Sequence, residues 1–249
     1  MSKEKLIVTR KDKQIYLADD KIIKVFDYEY NTAMVLNEAL NHARIEETEV
    51  NVPSLLEVSK REGKWAITLS YVKGKTLAQL MEEHPEEIDK YLNKFVEIQL
   101  WIHKQVSPLL TKQKDKMSRK IDMTDLDAAT KYELHTRLEA LPRHKKVCHG
   151  DFNPSNVIID NDGTPFVIDW SHATQGNASM DVARTYLLFY LEGKEALAEQ
   201  YLDLFCTKTN TDKRYVQKCI PIVAATQLVK GNKEERDFLL KWINVVDYE

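Results

Sequence analysis

The stretch that most constrains this chain is Val147–Trp170, VCHGDFNPSNVIIDNDGTPFVIDW, where polar residues gather at the ends of two short apolar runs. Val157–Ile159 and Phe166–Ile168 are β-branched or aromatic, and Asn161-Asp162-Gly163 between them is tight-turn chemistry, so the pattern predicts a β-hairpin. Pairing the two runs returns Asp169, at the exit of the second, to the side of Asn156, at the entry of the first. A carboxylate and an amide carbonyl at one point suit a hard, oxygen-preferring cation. Mg²⁺ in particular is held by one or two such groups together with phosphate oxygens.

Upstream, His149-Gly150-Asp151 precedes Asn156 with the spacing of the kinase catalytic loop, H-R-D-x-x-x-x-N, and an aspartate follows at a strand exit. At these residues the sequence resembles the aminoglycoside phosphotransferase family, relatives of choline kinases and more distantly of protein kinases, whose motif reads roughly H-G-D-x-x-x-x-N and then I-D-W. The resemblance implies a small-molecule kinase that moves the γ-phosphoryl group of ATP, with GTP as the alternative donor, to a hydroxyl. In that reading Asp151 is the catalytic base, Asn156 and Asp169 hold Mg²⁺ on the phosphates, and His149 braces the loop. Gly150 replaces the protein-kinase arginine, and Asp169-Trp170-Ser171 stands where D-F-G would be; both departures favour the small-molecule branch. Asn153 occupies the place where the family often has a histidine. Each residue alone could be a structural group; spacing and flanking strands together make the case.

The implied fold is α+β and two-lobed, protein kinase-like: a nucleotide-binding lobe over residues 1–72 with a small antiparallel sheet and one main helix, and a mainly helical catalytic and substrate-binding lobe over 73–249. Leu6–Thr9, Gln14–Leu17 and Ile22–Phe26 read as a meander of strands, and Ser54–Val58 with Trp65–Tyr71 as two more. Lys24 sits among Ile22, Ile23, Val25 and Phe26, where an ammonium is costly unless paired; its rival role is an edge lysine facing water. Tyr30–Ile45 has helical spacing. The resemblance makes Lys24 a ligand of the α/β-phosphates, paired with a glutamate of that helix. Glu38, mid-helix among apolar positions, is chosen over Glu29 and the Glu46-Glu47 pair. The same resemblance puts a hinge at Val72-Lys73-Gly74, with backbone groups of Ser70 and Val72 meeting a purine base. No glycine precedes Gly63, so the kinase Gly-rich loop is absent and Arg10–Lys13 is the place for a different phosphate loop.

Beyond the hinge the chain reads as helical: Thr76–Glu83 with Thr76 as cap, Pro85–Val106, Asp122–Ala140, and after Asp181 an apolar helix followed by segments near Lys194–Thr207, Asp212–Val229 and Lys233–Val246. His103 reads as structural. Lys112–Lys120, KQKDKMSRK, holds a basic excess with neither period nor aromatic interleaving, which predicts a solvated connector. Asp181 is either a first-turn acid meeting the helix dipole or, by the resemblance, the anchor of the catalytic loop. Ser171–Met180 is too short for a protein kinase's peptide platform and lacks A-P-E, so the following helices should wall a pocket for a compact acceptor. The acidic end Asp247-Tyr248-Glu249 reads as a solvated tail.

With 36 basic against 39 acidic residues there is no global field calling for nucleic acid or an anionic membrane. No run of eighteen apolar residues occurs, and Cys148, Cys206 and Cys219 have no CxxC spacing, so a reduced cytoplasmic chain is expected. The expected partners are a nucleoside triphosphate and a small hydroxyl-bearing substrate. The alternative from another class is a pseudokinase, a nucleotide-binding scaffold of the same fold.

Overall fold

The computed structural model describes residues 4–10 and 12–244. In chain order the strands and helices are β1 (Glu4–Thr9), β2 (Lys13–Ala18), β3 (Lys21–Phe26), α1 (Thr32–Glu46), β4 (Leu55–Arg61), β5 (Lys64–Ser70), β6 (Gly74–Thr76), α2 (Leu77–Glu83), α3 (Ile88–Lys104), α4 (Gln113–Asp122) and α5 (Ala128–Ala140). Then come β7 (Lys146–Cys148), β8 (Val157–Asp160), β9 (Pro165–Val167), β10 (Thr174–Gly176), α6 (Ala178–Leu191), α7 (Glu195–Thr209), α8 (Lys213–Gln217), α9 (Ile220–Leu228) and α10 (Lys233–Ile243). Short 3₁₀ turns cover Pro85–Glu87, Pro154–Asn156 and Trp170–His172. This is the α+β, kinase-like architecture expected. Packing divides it into two compact units, residues 1–87 with 154–172, and residues 88–153 with 173–249, a different grouping from the chain division expected at 72/73.

The first unit carries a five-stranded antiparallel sheet in the order β1-β2-β3-β5-β4. Its alternating strands turn Phe26, Ile67 and Leu69 onto α1, where Val35 and Ala39 meet them in one core. Asn31 caps α1, its side chain accepting from Ala33 N at 2.8 Å. The β4–β5 turn needs two left-handed residues, Glu62 at φ 48° and Gly63 at φ 82°. β8 and β9 form the hairpin expected from sequence, with Val157 opposite Val167 and Ile159 opposite Pro165. The Asp160 carboxylate organises its turn, accepting from Asp162 N at 3.0 Å and Thr164 N at 2.8 Å. β6 joins the other side of β8. Thr76 and Gln79 close a capping box at the start of α2.

In the second unit α6 and α9 are buried along most of their length, and the other helices pack around them and around the β7–β10 pair. Phe95 of α3 stacks on Phe152 with ring centroids 4.3 Å apart, joining the helical core to the loop after β7. Three sequence expectations change. Gln113–Lys120 lies in α4, with Lys112 as its N-cap, and is no connector: Gln113 and Ile121 are buried, and the Gln113 side-chain oxygen accepts from Asn177 N at 2.8 Å. The helix expected from Asp122 starts at Ala128, capped by Asp127. Asp212–Val229 is two helices, broken before Pro221, which can enter a helix only in its first turn. Val246 and the acidic tail Asp247-Tyr248-Glu249 lie outside the described residues, as does Lys11. Among the described residues no helix is long and apolar enough to cross a membrane.

Candidate functional site

In the first unit the chemistry gathers on one charge-matched cluster. Lys24 projects from β3, which is paired on both sides, and its ammonium donates to Glu38 Oε1 of α1 at 2.9 Å, both side chains being buried. The Asp169 carboxylate lies 3.8 Å from Lys24 Nζ and 3.6 Å from Lys13 Nζ, at the start of β2. Burial alone would drive the Lys24 proton off, but Asp169 and then Glu38 outweigh it and hold the pKa above the usual lysine value. Burial and the same carboxylates push the Tyr30 phenol up to about 12. Glu29 and Glu47 are exposed, and Glu46 Oε1 is taken by Leu55 N at 2.9 Å, so of the four candidate glutamates it is Glu38 that meets Lys24.

The hairpin brings Asp169 to this point. Ile168 N donates to Asn156 O at 2.9 Å, closing the gap between the strand exit and the strand entry. Asp169 then leaves the ladder at φ 65°, a left-handed conformation that aspartate tolerates better than most residues and that turns its side chain out of the strand line. The donor set fits a hard divalent ion: an aspartate carboxylate, the nearby Asn156 amide, and a buried Glu38 Oε2 that lacks a hydrogen-bond partner. Ser70 N donates to Ser54 O at 2.9 Å, so a base meeting Ser70 would use its carbonyl. Val72 lies just past the end of β5. At the expected phosphate-loop region Arg10 N donates to Lys13 O at 2.9 Å.

In the second unit the loop holding Asp151 is fixed from α6. The buried Asp181 carboxylate accepts from His149 N at 3.2 Å through Oδ2 and from Gly150 N at 2.7 Å through Oδ1, with His103 Nε2 3.0 Å from Oδ2. Burial would raise its pKa, yet the His103 hydrogen bond and charge and the Gly150 N–H hold it below the ordinary value. Asp181 therefore anchors the loop, the second of its two sequence readings. His149 braces from inside: its Nδ1 accepts from Asp151 N at 3.2 Å, and its ring meets Phe152 edge-on at 5.8 Å. Thr185 Oγ1 donates to Phe152 O at 2.8 Å, and Asn153 Nδ2 to Asp151 O at 3.0 Å. Gly150, at φ 79°, supplies the left-handed turn that allows both loop N–H groups to reach one carboxylate.

Sequence reasoning missed three residues. Lys13 entered only as the end of the loop region. Arg184 Nη2 lies 3.2 Å from Asp151 Oδ1, and its other terminal nitrogen donates to Gln227 Oε1 at 2.6 Å. Lys230 Nζ is 4.0 Å from the same Asp151 oxygen. Arg184 carried a signal: three residues after Asp181 on one helix, it shares the face that anchors the loop.

A family model described as the phosphotransferase enzyme family matches residues 13–216. Comparison with curated proteins gives no match. Among solved structures, the aminoglycoside phosphotransferase APH(4)-Ia aligns with TM-score 0.70 at 18% identity, over 97% of this chain and 90% of that one. A thermostable mutant of it, in ternary complex with AMP-PNP and hygromycin B, gives TM-score 0.71 at 18% identity, over 97% and 90%. A choline/ethanolamine kinase family protein from Mesorhizobium loti gives TM-score 0.60 at 14% identity, over 99% and 82%. At these identities the structural likeness speaks for the fold.

Proposed function

The chain belongs to the phosphotransferase enzyme family, and from that premise we propose that it transfers the γ-phosphoryl group of ATP, with GTP as the alternative donor, to a hydroxyl of a small molecule in a Mg²⁺-dependent reaction. The observation that carries this reading is the meeting of Lys24, Lys13 and Asp169 within one unit, anchored by Glu38. Two ammonium groups beside a carboxylate and an amide match a metal-bound polyphosphate, whose anionic oxygens and cation must both be satisfied.

In this reading Asn156 and Asp169 would hold Mg²⁺, which would supply positive charge to screen the phosphates during transfer. Lys24, kept charged by its two carboxylate neighbours, holds the α/β-phosphates, and Ser70 and Val72 offer backbone groups to the base. Asp151 accepts the proton of the acceptor hydroxyl as that oxygen bonds to the γ-phosphorus. The bond from phosphorus to the β,γ-bridging oxygen breaks, and the nucleoside diphosphate departs. A base fixed by Asp181, His149 and Asn153 arrives already oriented, so little entropy is lost at the moment of transfer. The neighbours' nucleotide and aminoglycoside complexes are consistent with this division between a nucleotide and a small acceptor.

The test is ADP release with ATP and then GTP over hydroxylated amines, sugars, acids and vitamins, repeated with Asp151→Asn. Turnover should fall by about 10²–10⁴-fold in the variant with nucleotide affinity nearly unchanged. A variant keeping more than half its activity would remove Asp151 from the base role, and no turnover with any acceptor would favour the nucleotide-binding scaffold.

A further inference from the structure

Within the second unit Asp151 has two cationic side chains beside its carboxylate, and two more on a neighbouring helix act on it. Arg184 of α6 touches the carboxylate at 3.2 Å, and Lys230, just after α9, stands 4.0 Å from it. α4 packs on α9 and presents Lys116 and Lys120, one helical turn apart and therefore on one face. Both lysines feel the charges of Arg184 and Asp151, Lys116 also that of Arg119, and Lys120 also that of Lys230. Burial first, and then the crowding of like charges, lowers Lys116 to about 7 and Lys120 to about 8. A fold that gathers this much positive charge at a half-buried place bears a cost that an incoming anion would relieve.

We propose, resting on the phosphotransferase reading above, that the acceptor is an anionic hydroxyl compound, its phosphate or carboxylate held by Lys116, Lys120 and Lys230 while its hydroxyl faces Asp151. The same charges disfavour a polycationic acceptor, because each ammonium of such a ligand would meet lysines of like sign. Arg184 serves differently: bonded to both Asp151 and Gln227, it positions the base.

The experiment has two arms. Inorganic phosphate and acetate are titrated by calorimetry into the protein saturated with Mg²⁺ and AMP-PNP, and into the protein alone. Phosphate should bind in the millimolar range, with Lys120→Gln and Lys116→Met each weakening it about tenfold and Lys230→Gln, at an exposed position that leaves packing alone, several-fold, since each removes one charged contact. In the second arm ADP release is compared over one three-carbon diol frame: glycerol 3-phosphate, glycerate, glycerol and 3-amino-1,2-propanediol. The anionic members should exceed the neutral one, and the amine should be poorest; the better of phosphate and carboxylate names the headgroup. Phosphate binding that is absent, or equal in wild type and all three variants, overturns the anion site. Faster ADP release with glycerol or the amine overturns the anionic acceptor and leaves the phosphotransferase intact. Lysine-dependent phosphate binding without ADP release from any acceptor leaves the anion site standing and overturns the reaction.

Discussion

Lys24 shows what one residue in a sequence can and cannot disclose. A lysine inside an apolar strand implies a buried partner because an unpaired ammonium there is too costly, and that much was legible in IIKVF. The choice of Glu38 over Glu29 and Glu46 rested on its mid-helix place, and its side chain does reach Lys24. The second carboxylate, Asp169, could not be seen from Lys24, because it arrives through a hairpin more than a hundred residues later. The pairing is testable. Removing one member of a buried pair strands the other's charge, so Lys24→Met and Glu38→Gln should each cost about 3–5 kcal/mol in denaturant unfolding and weaken Mg-ATP binding. The double variant should lose clearly less than the sum, since the second change removes a charge already stranded. Losses that add fully, in stability and in nucleotide affinity, would mean the two side chains act independently. By the same logic Asp169→Ala should reduce Mg²⁺-dependent nucleotide binding more than Asn156→Ala, a charged ligand being removed in one case and a neutral one in the other, and calorimetry with Mg-ATP ranks them.

Among the elements, those with a period or a turn signature were readable and the one held by polar contacts was not. β8 and β9 announced themselves through branched residues around Asn161-Asp162-Gly163, and α2 through its Thr76 cap. α4 did not, because Lys112–Lys120 contains one apolar residue, Met117; its stability comes from Gln113 bonding Asn177 and from Ile121 beyond the basic run. α6 was readable as a helix, yet its task was ambiguous, since an acid in a first turn has an ordinary explanation. The geometry decides for anchoring, because both Asp181 oxygens accept loop N–H groups. Asp181→Asn keeps the shape but replaces one acceptor oxygen by an NH₂ donor that faces another donor. The expected result is a melting temperature several degrees lower and a fall in kcat, with nucleotide affinity preserved, because Asp151 loses its support while the Lys24 cluster belongs to the other unit. A variant with wild-type kcat would limit Asp181 to a purely structural role.

For the molecule as a whole the net charge of −3 hides opposed local fields, and the balance among buried titrating groups sets its response to pH. Asp181 is depressed, so its stabilisation is present above the ordinary aspartate range and is lost as the pH falls through its lowered value. Lys116 and Lys120 are also depressed, to about 7 and about 8, but for a base the sign reverses. Below those values the folded chain carries both charges in poor surroundings. Between them and the ordinary lysine value of ~10.4 the unfolded chain binds more protons, so stability rises with pH. At higher pH other groups reverse the trend. Burial raises Cys148 well above its ordinary value, Cys219 to about 12 and Tyr30 to about 12, so above ~8.5 to 10 the unfolded chain ionises while the folded one resists. The Lys24 stabilisation disappears in the same direction, once the unfolded lysine begins to lose its proton. Unfolding free energy from denaturant titrations should therefore climb from pH 6 towards a maximum near pH 8 to 9 and decline above it, the window being about that of the shifts cited. The double variant Lys116→Met, Lys120→Met should be more stable than wild type at pH 6, and its curve should flatten between pH 7 and 9. If instead the variant's curve ran parallel to that of the wild type, the two ammonium groups would not be carrying the charge strain assigned to them.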